Sequence, residues 1–375
     1  MLFLVISLIY LYIPSKILNI QNYNIELQFN RDNAYSYIED QLNIGYRIPG
    51  TQERVNCTNY FKTKFLEIDS NFTYIIHNFT IYSTNCQNVL FKLNENYTNI
   101  VILGAHYDSR ARATKDLTNT SAPVPGANDG ASGSAVLIEL ARNFYIRREN
   151  LSCQIWFVFF DAEDQGYDSG YGIPGWGWCE GSEKFVSDIN NFYDSEKESF
   201  ENMILLDMVG GENLKFINEQ YSTSSLLEEL FATGRSLGYT NEFPENPITQ
   251  SIKDDHVAFV NNGIPSADLI IKFWDRNPDW PYHHTTKDNL TYISKSSLEA
   301  TGKTVEQFIY NNYINDQNNS YQGNSPWNQD KNLLNQQILI FIITLVGIAG
   351  IAIMVLSFAK KGLEKKRNMT NTKFA

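Results

Sequence analysis

Apolar and polar positions alternate along this chain in two distinct rhythms. Short apolar runs at 89–93 (VLFKL), 99–109 (NIVILGAHYDS), 154–164 (QIWFVFFDAED), 202–210 (NMILLDMVG) and 267–271 (ADLII) predict strands. Several are apolar without a break, as expected of strands covered on both faces. Helical spacing of apolar positions predicts helices at 52–68, 131–147, 181–190, 223–237, 254–262 and 295–313. Strands alternating with helices in this way predict a three-layer α/β/α sandwich with a mostly parallel mixed central sheet. No internal repeat is present.

Two further apolar stretches have a different meaning. Residues 2–13 (LFLVISLIYLYI) have the length of a signal-peptide core and are short for a membrane span, so 1–18 is expected to be a signal peptide or an N-terminal anchor. Residues 338–359 carry no charge and are long enough to cross about 30 Å of hydrocarbon as a helix. Lys360, Lys361 and the KKR that follows put the C-terminal side in the cytoplasm. Residues 311–331 are polar and low in complexity, which reads as a linker. The expected organisation is therefore a catalytic domain at 25–313, a linker at 314–332, one transmembrane helix within 333–359 and a basic cytoplasmic tail at 360–375. The body would then be extracellular or lumenal and bound to the membrane through its C-terminal helix.

Asn-x-Ser/Thr sites at Asn56, Asn71, Asn78, Asn96, Asn119, Asn150, Asn289 and Asn318 are consistent with that topology and with glycosylated loops, although asparagine is abundant here. Four cysteines (Cys57, Cys86, Cys153, Cys179) are few enough to be unpaired, yet one or two disulfides would suit an oxidising compartment. No CxxC spacing exists, which argues against a thiolate zinc site.

Charge narrows the function. The net charge is −12, and the tail from 360 onward carries a local +5, leaving about −17 on the rest. Such a body is unsuited to nucleic acid. The Gly-rich segment at 126–133 lacks the spacing and lysine of a phosphate loop. No Gly-x-Ser-x-Gly elbow supports a serine nucleophile.

Candidate chemistry gathers where the strands end, the place where open parallel sheets form sites. His106 and Asp108 close one strand, Glu163 and Asp164 another, and Asp207 a third. Asp129 lies in PGANDGASGSA ahead of a helix, and His284 in YHHTTKDNL after the last strand. Histidine and carboxylate donors without cysteine suit Zn²⁺ or another divalent ion in an open site. One carboxylate such as Asp129 could bridge two ions about 3.5–4 Å apart. Of consecutive acids such as Glu163–Asp164, one can ligate while the other stays free as a base. Simpler roles compete: Asp129 could merely cap the following helix, and Asp207 could be held by a strong hydrogen bond.

Taken together, GAHYDS, PGANDGASGSAVLIELAR, FFDAEDQG, GSEKF, LLDMVG, DDHVAFVNNGIPSADLI and YHHTTKDNL resemble metallopeptidase family 28, which includes zinc aminopeptidases and the related glutaminyl cyclases. YRIPGT at 46–51 resembles a family element upstream, and the likeness spans about residues 30–313 in order. It implies His106, Asp129, Asp164, Asp207 and His284 as zinc ligands, Glu163 as general base and Asp108 as the group that orients His106. The family often has two glutamates where Glu163–Asp164 stands, and commonly Trp where His283 precedes the ligand histidine. Asp255 and His256 of the DDH segment, and Trp176 and Trp178 of a Gly-rich loop, are candidates for the substrate pocket. The expectation is a membrane-anchored aminopeptidase acting on peptides with a free N-terminus and using two zinc ions. The alternatives are a cyclase that forms N-terminal pyroglutamate with one zinc, and an inactive receptor-like ectodomain.

Overall fold

In a computed structural model, the residues described here are 24–167, 172–274 and 277–314. They contain α1 (Arg31–Ile44), α2 (Gln52–Ile68), β1 (Thr73–Ile81), β2 (Thr84–Leu93), β3 (Asn99–His106), α3 (Ala131–Ile146), β4 (Gln154–Phe160) and α4 (Glu180–Ser187). These are followed by β5 (Ser199–Asp207), β6 (Asn218–Glu219), α5 (Ser224–Ser236), β7 (Thr249–Gln250), α6 (His256–Asn261), β8 (Ser266–Ile270) and α7 (Lys295–Tyr313).

Six strands form one sheet in the order β1-β2-β4-β3-β5-β8. The neighbours β4/β3, β3/β5 and β5/β8 are parallel, while β2 runs antiparallel to both β1 and β4. Along β3, Val101, Leu103 and Ala105 face one core with α1, α2, α3, α5 and α7, while Ile100 and Ile102 face the other with α4 and α6. Burial on both faces explains why these strands read as unbroken apolar runs. The mostly parallel mixed sheet and the helices on both of its faces are as expected.

Topology places the site. The chain leaves β3, crosses one face through α3 and enters β4; it then crosses the other face through α4 and enters β5, on the opposite side of β3. Crossovers on opposite faces open a crevice at the carboxyl end of β3, between its two neighbours.

The structure adds elements that the apolar pattern did not predict. Helix α1 buries only Ala34, Ile38 and Gln41, so its pattern is mostly polar; the Asn30 side chain caps it by accepting from the Asp32 and Asn33 N–H groups. Strand β1 is a half-exposed edge strand. Its hairpin to β2 turns at Tyr82 and Ser83, both with positive φ, as two-residue hairpin turns require. The four cysteines are free and buried, so no disulfide forms among them. Helix α7 continues through residues 311–313, which composition had assigned to the linker. Among the described residues no helix is long and apolar enough to cross a membrane. The segments 1–18, 315–332, 333–359 and 360–375, together with Asn318, lie outside the described residues.

Candidate active site and metal centre

The first donors come from β3. His106, its last residue, is buried and pairs in register with Phe160 of β4. Its Nε2 lies 3.1 Å from Asp129 Oδ1 and 3.1 Å from Asp207 Oδ1. Its Nδ1 lies 3.4 Å from Asp108 Oδ1. Burial alone would favour the neutral ring, but hydrogen bonds to Asp108, Asp129 and Asp207 outweigh it and raise the His106 pKa well above its usual value.

Asp129 precedes α3 without capping it. The N-cap residue is Gly130, and no side chain caps that end. Asp129 is instead held through its backbone: Asp288 accepts the N–H of Asn128 at 2.8 Å and that of Asp129 at 3.1 Å. Arg47, from the YRIPGT element and fully buried, donates to the carbonyls of Tyr107, Pro125 and Gly126, tying the loop after β3 to the loop before α3.

The turn after β4 presents Glu163 and Asp164. Asp108 organises it, accepting from the Glu163 N–H at 3.1 Å, the Asp164 N–H at 3.2 Å and the Gln165 amide at 2.8 Å. Asp108 therefore holds two neighbouring segments and not His106 alone. Ala162 in this turn, Met208 just after Asp207, and His284 all have positive φ. Such non-glycine backbones cost about 1–3 kcal/mol each and persist where the surroundings enforce them.

His284 completes a second group. Its Nε2 lies 2.8 Å from Asp164 Oδ1 and 3.7 Å from Asp129 Oδ2. His283 reaches only Asp129, at 3.8 Å, and its Nδ1 is met by Lys115 Nζ at 2.6 Å. His284 is thus the better placed of the pair. Burial, with the Arg110 charge nearby, lowers its pKa well below the usual value and keeps the ring neutral, the form that ligates metal. Arg110 also donates to Asp164 Oδ1 at 3.2 Å and stacks 4.8 Å from the Trp178 ring.

The expected ligands therefore converge. Asp129 joins a His106–Asp129–Asp207 group to an Asp164–His284 group, one through each of its oxygens. The donor atoms of His106, Asp129 and Asp207 lie within 4.8 Å of one another. Asp129 Oδ2 and Asp164 Oδ2 are buried with no hydrogen-bond partner, which is costly for a carboxylate unless a cation faces it. Nitrogen and oxygen donors with spare lone pairs fit a zinc ion.

Asp129, Asp164, Asp207 and His284 line a cavity of about 770 Å³, together with Glu163, Asp254, Trp178 and Phe273. Burial, with the Asp254 and Asp164 charges adding to it, raises the Glu163 carboxyl well above its usual range. Trp178 lies parallel to the His284 ring with centroids 5.8 Å apart. Gly166 makes room for that indole, since a Cβ there would fall 2.1 Å from it.

Three of the substrate-pocket candidates sit elsewhere. Asp255 and His256 are fully buried outside the cavity lining; His256 Nε2 bonds Glu219 at 2.9 Å. The member of the DDH segment that lines the cavity is Asp254, because α6 begins at His256 and turns the next two side chains inward. Burial and the neighbouring Asp207 push the Asp254 carboxyl up to about 7. Trp176 also lies off the cavity, against Tyr82 at 5.8 Å. Sequence reasoning missed Asp288, Arg47 and Arg110, which act largely through backbone groups or a neighbour's carboxylate; Arg47 and Asp288 lie inside family-like segments, and Arg110 directly follows one.

A sequence profile described as Peptidase family M28 matches residues 88–309. Aminopeptidase YwaD of Bacillus subtilis is 28% identical over 221 residues, which is 58% of this chain and 42% of that protein, so the chain spans about two fifths of this relative's length. Among solved structures, a Zn-dependent exopeptidase from Parabacteroides distasonis is 31% identical with a TM-score of 0.68, covering 76% of this chain and 99% of its own. Bacteroides thetaiotaomicron glutaminyl cyclase is 31% identical with a TM-score of 0.69, covering 78% and 99%. With the profile covering more than half of its length and the candidate donors brought together at the carboxyl ends of the parallel strands, the chain belongs to Peptidase family M28.

Proposed function

We propose that this chain is a one-zinc glutaminyl-peptide cyclotransferase, which reverses the order of preference drawn from motifs alone. The observation that carries this reading is where the unsatisfied oxygens lie. Among the expected ligands, the buried oxygens without hydrogen-bond partners are Asp129 Oδ2 and Asp164 Oδ2, and both residues face His284. On the other side the donors satisfy one another: both His106 nitrogens already face carboxylates, and Asp207 is hydrogen-bonded by Asp254 as well. One ion held by Asp129, Asp164 and His284 answers that imbalance.

A zinc ion held there would act as a Lewis acid on the side-chain amide carbonyl of an N-terminal glutamine. The remaining work falls to protein groups. Glu163 accepts a proton from the substrate's α-amine, whose nitrogen then bonds to the amide carbon. The same carboxyl returns the proton to the amide nitrogen as that C–N bond breaks, releasing ammonia and leaving a five-membered lactam. Asp254, able to hold a proton near neutral pH, lies beside Glu163 and can hydrogen-bond the amine in transit. Trp178 and Phe273 wall the cavity with apolar surface that keeps water from competing with the amine.

A second reading is an aminopeptidase with two ions, in which Glu163 draws its proton from water. The compact His106–Asp129–Asp207 group favours it, since those three could hold another ion. One experiment separates the two: zinc per chain is measured, together with the products from Gln-initiated and Leu-initiated peptides. The cyclase reading expects one zinc, pyroglutamate and no free leucine. Two zinc ions with free leucine would establish the peptidase instead, and a folded chain that binds no zinc would point to an inactive ectodomain.

A further inference from the structure

Cys179 is the thiol that meets the reaction centre. It precedes α4 with φ of +61°, and its N–H donates to the Glu163 carbonyl at 3.0 Å, which clamps the two residues together. Its Sγ lies 3.4 Å from Glu163 Oε1. Asp254 closes a triangle: donor atoms of Glu163, Cys179 and Asp254 all lie within 4.8 Å of one another. Their exposures are 9%, 1% and 3%, so the set is more than nine-tenths buried. Among the described residues the Cys179 thiol is the group that hydrogen-bonds the Glu163 carboxylate, which leaves the second carboxylate oxygen without a partner in the cavity.

This set differs in kind from the Asp129–Asp164–His284 set. One sulfur and two carboxylates select a borderline or soft divalent ion, whereas histidine and aspartate alone make no such choice. An entry path exists on a second side. A cavity of about 840 Å³ between α4 and α6 reaches Cys179, Lys253 and Asp254 from behind, and the main cavity reaches Glu163 and Asp254 from the front.

We propose that Glu163, Cys179 and Asp254 form a second, inhibitory site for a thiophilic divalent cation, zinc in excess or cadmium. Binding breaks the Cys179 S–H bond, forms a sulfur–metal bond and releases the proton to solvent, with no change of oxidation state. The Glu163 carboxylate becomes a ligand and can no longer carry a proton. The site itself does not depend on which reaction Glu163 serves; only the inhibition rests on the base role given above.

The test uses the zinc-loaded enzyme titrated with cadmium chloride. Three quantities are read together: the ultraviolet thiolate-to-cadmium charge-transfer band, residual turnover, and the zinc retained after gel filtration. One band equivalent per chain should saturate in step with the loss of activity, while the resident zinc stays bound. Cys179→Ser should abolish the band and raise the cadmium needed for half-inhibition at least about tenfold, since losing even an outer partner of a metal ligand costs about 10–100-fold in affinity. Cys153→Ser should keep the band. Asp254→Asn, with the thiol intact, should shift saturation to about tenfold higher cadmium and serves if Cys179→Ser does not fold. Absence of the band in the parent enzyme, its persistence in Cys179→Ser, or zinc release in step with inhibition would each overturn the site. An enzyme without cyclase activity that still shows the band would refute the functional reading and leave the site standing.

Discussion

Asp108 gives one oxygen to both the His106 ring and the Glu163 N–H, and the other to the Asp164 N–H and the Gln165 amide. A single carboxylate thereby sets the spacing between His106, Glu163 and Asp164. Glu163 itself is not needed to hold the ion proposed at Asp129, Asp164 and His284. Glu163→Gln should therefore retain its zinc while turnover falls about 10²–10⁴-fold, the usual worth of a positioned base. Activity near that of the parent, measured beside zinc content, would remove Glu163 from the reaction. At this scale His106, Asp164 and Asp207 were readable as polar residues at the ends of apolar runs, and Asp129 and His284 by the segments around them. The choice of Asp254 over Asp255 and His256 was not, since it depends on how α6 is rotated against the sheet.

Helix α3 carries the Asp129 turn at its start, and its seat on the sheet is what aims that aspartate. Gly133, one turn in, is packed so closely on β5 that a Cβ would stand 2.0 Å from the Leu206 carbonyl oxygen and 3.0 Å from the Ala105 Cβ. Backbone cannot yield there as a flexible side chain would. Gly133→Ala should destabilise the domain by at least the upper end of the roughly 1–3 kcal/mol typical of overpacking, read from urea unfolding, and weaken zinc binding at the same time. An unchanged unfolding midpoint would show that α3 floats on the sheet. Helices α2 and α7 were legible from their apolar spacing, and a side-chain cap holds each start: Thr51 accepts from the Arg54 N–H, and Ser294 from the Ser297 N–H. Helix α1 and strand β1 were not legible, because elements that bury few side chains carry little periodicity.

For the whole molecule, the acceptor asparagines bear on where the body resides. Asn56, Asn71, Asn78, Asn96, Asn119 and Asn150 are exposed and Asn289 is partly so, as acceptors for glycans must be. This supports the proposal of an extracellular or lumenal body, with 338–359 as its membrane tether. Deleting residues 333–375 should then give a secreted, active protein that shortens on glycosidase treatment. Loss of folding on deletion, or a mass that the glycosidase leaves unchanged, would contradict that topology.

From the sequence alone came the alternation of strands and helices, the family and the candidate donors, because apolar periodicity and the neighbours of each polar residue are local facts. Only the tertiary structure decided which oxygens are spare, which histidine of the pair reaches both aspartates, and which carboxylate of the DDH segment looks into the cavity. Those outcomes turn on contacts between residues that are far apart in the chain, such as His284 with Asp164 and Asp288 with the Asp129 backbone. Spacing along the chain carries no information about where two such atoms meet.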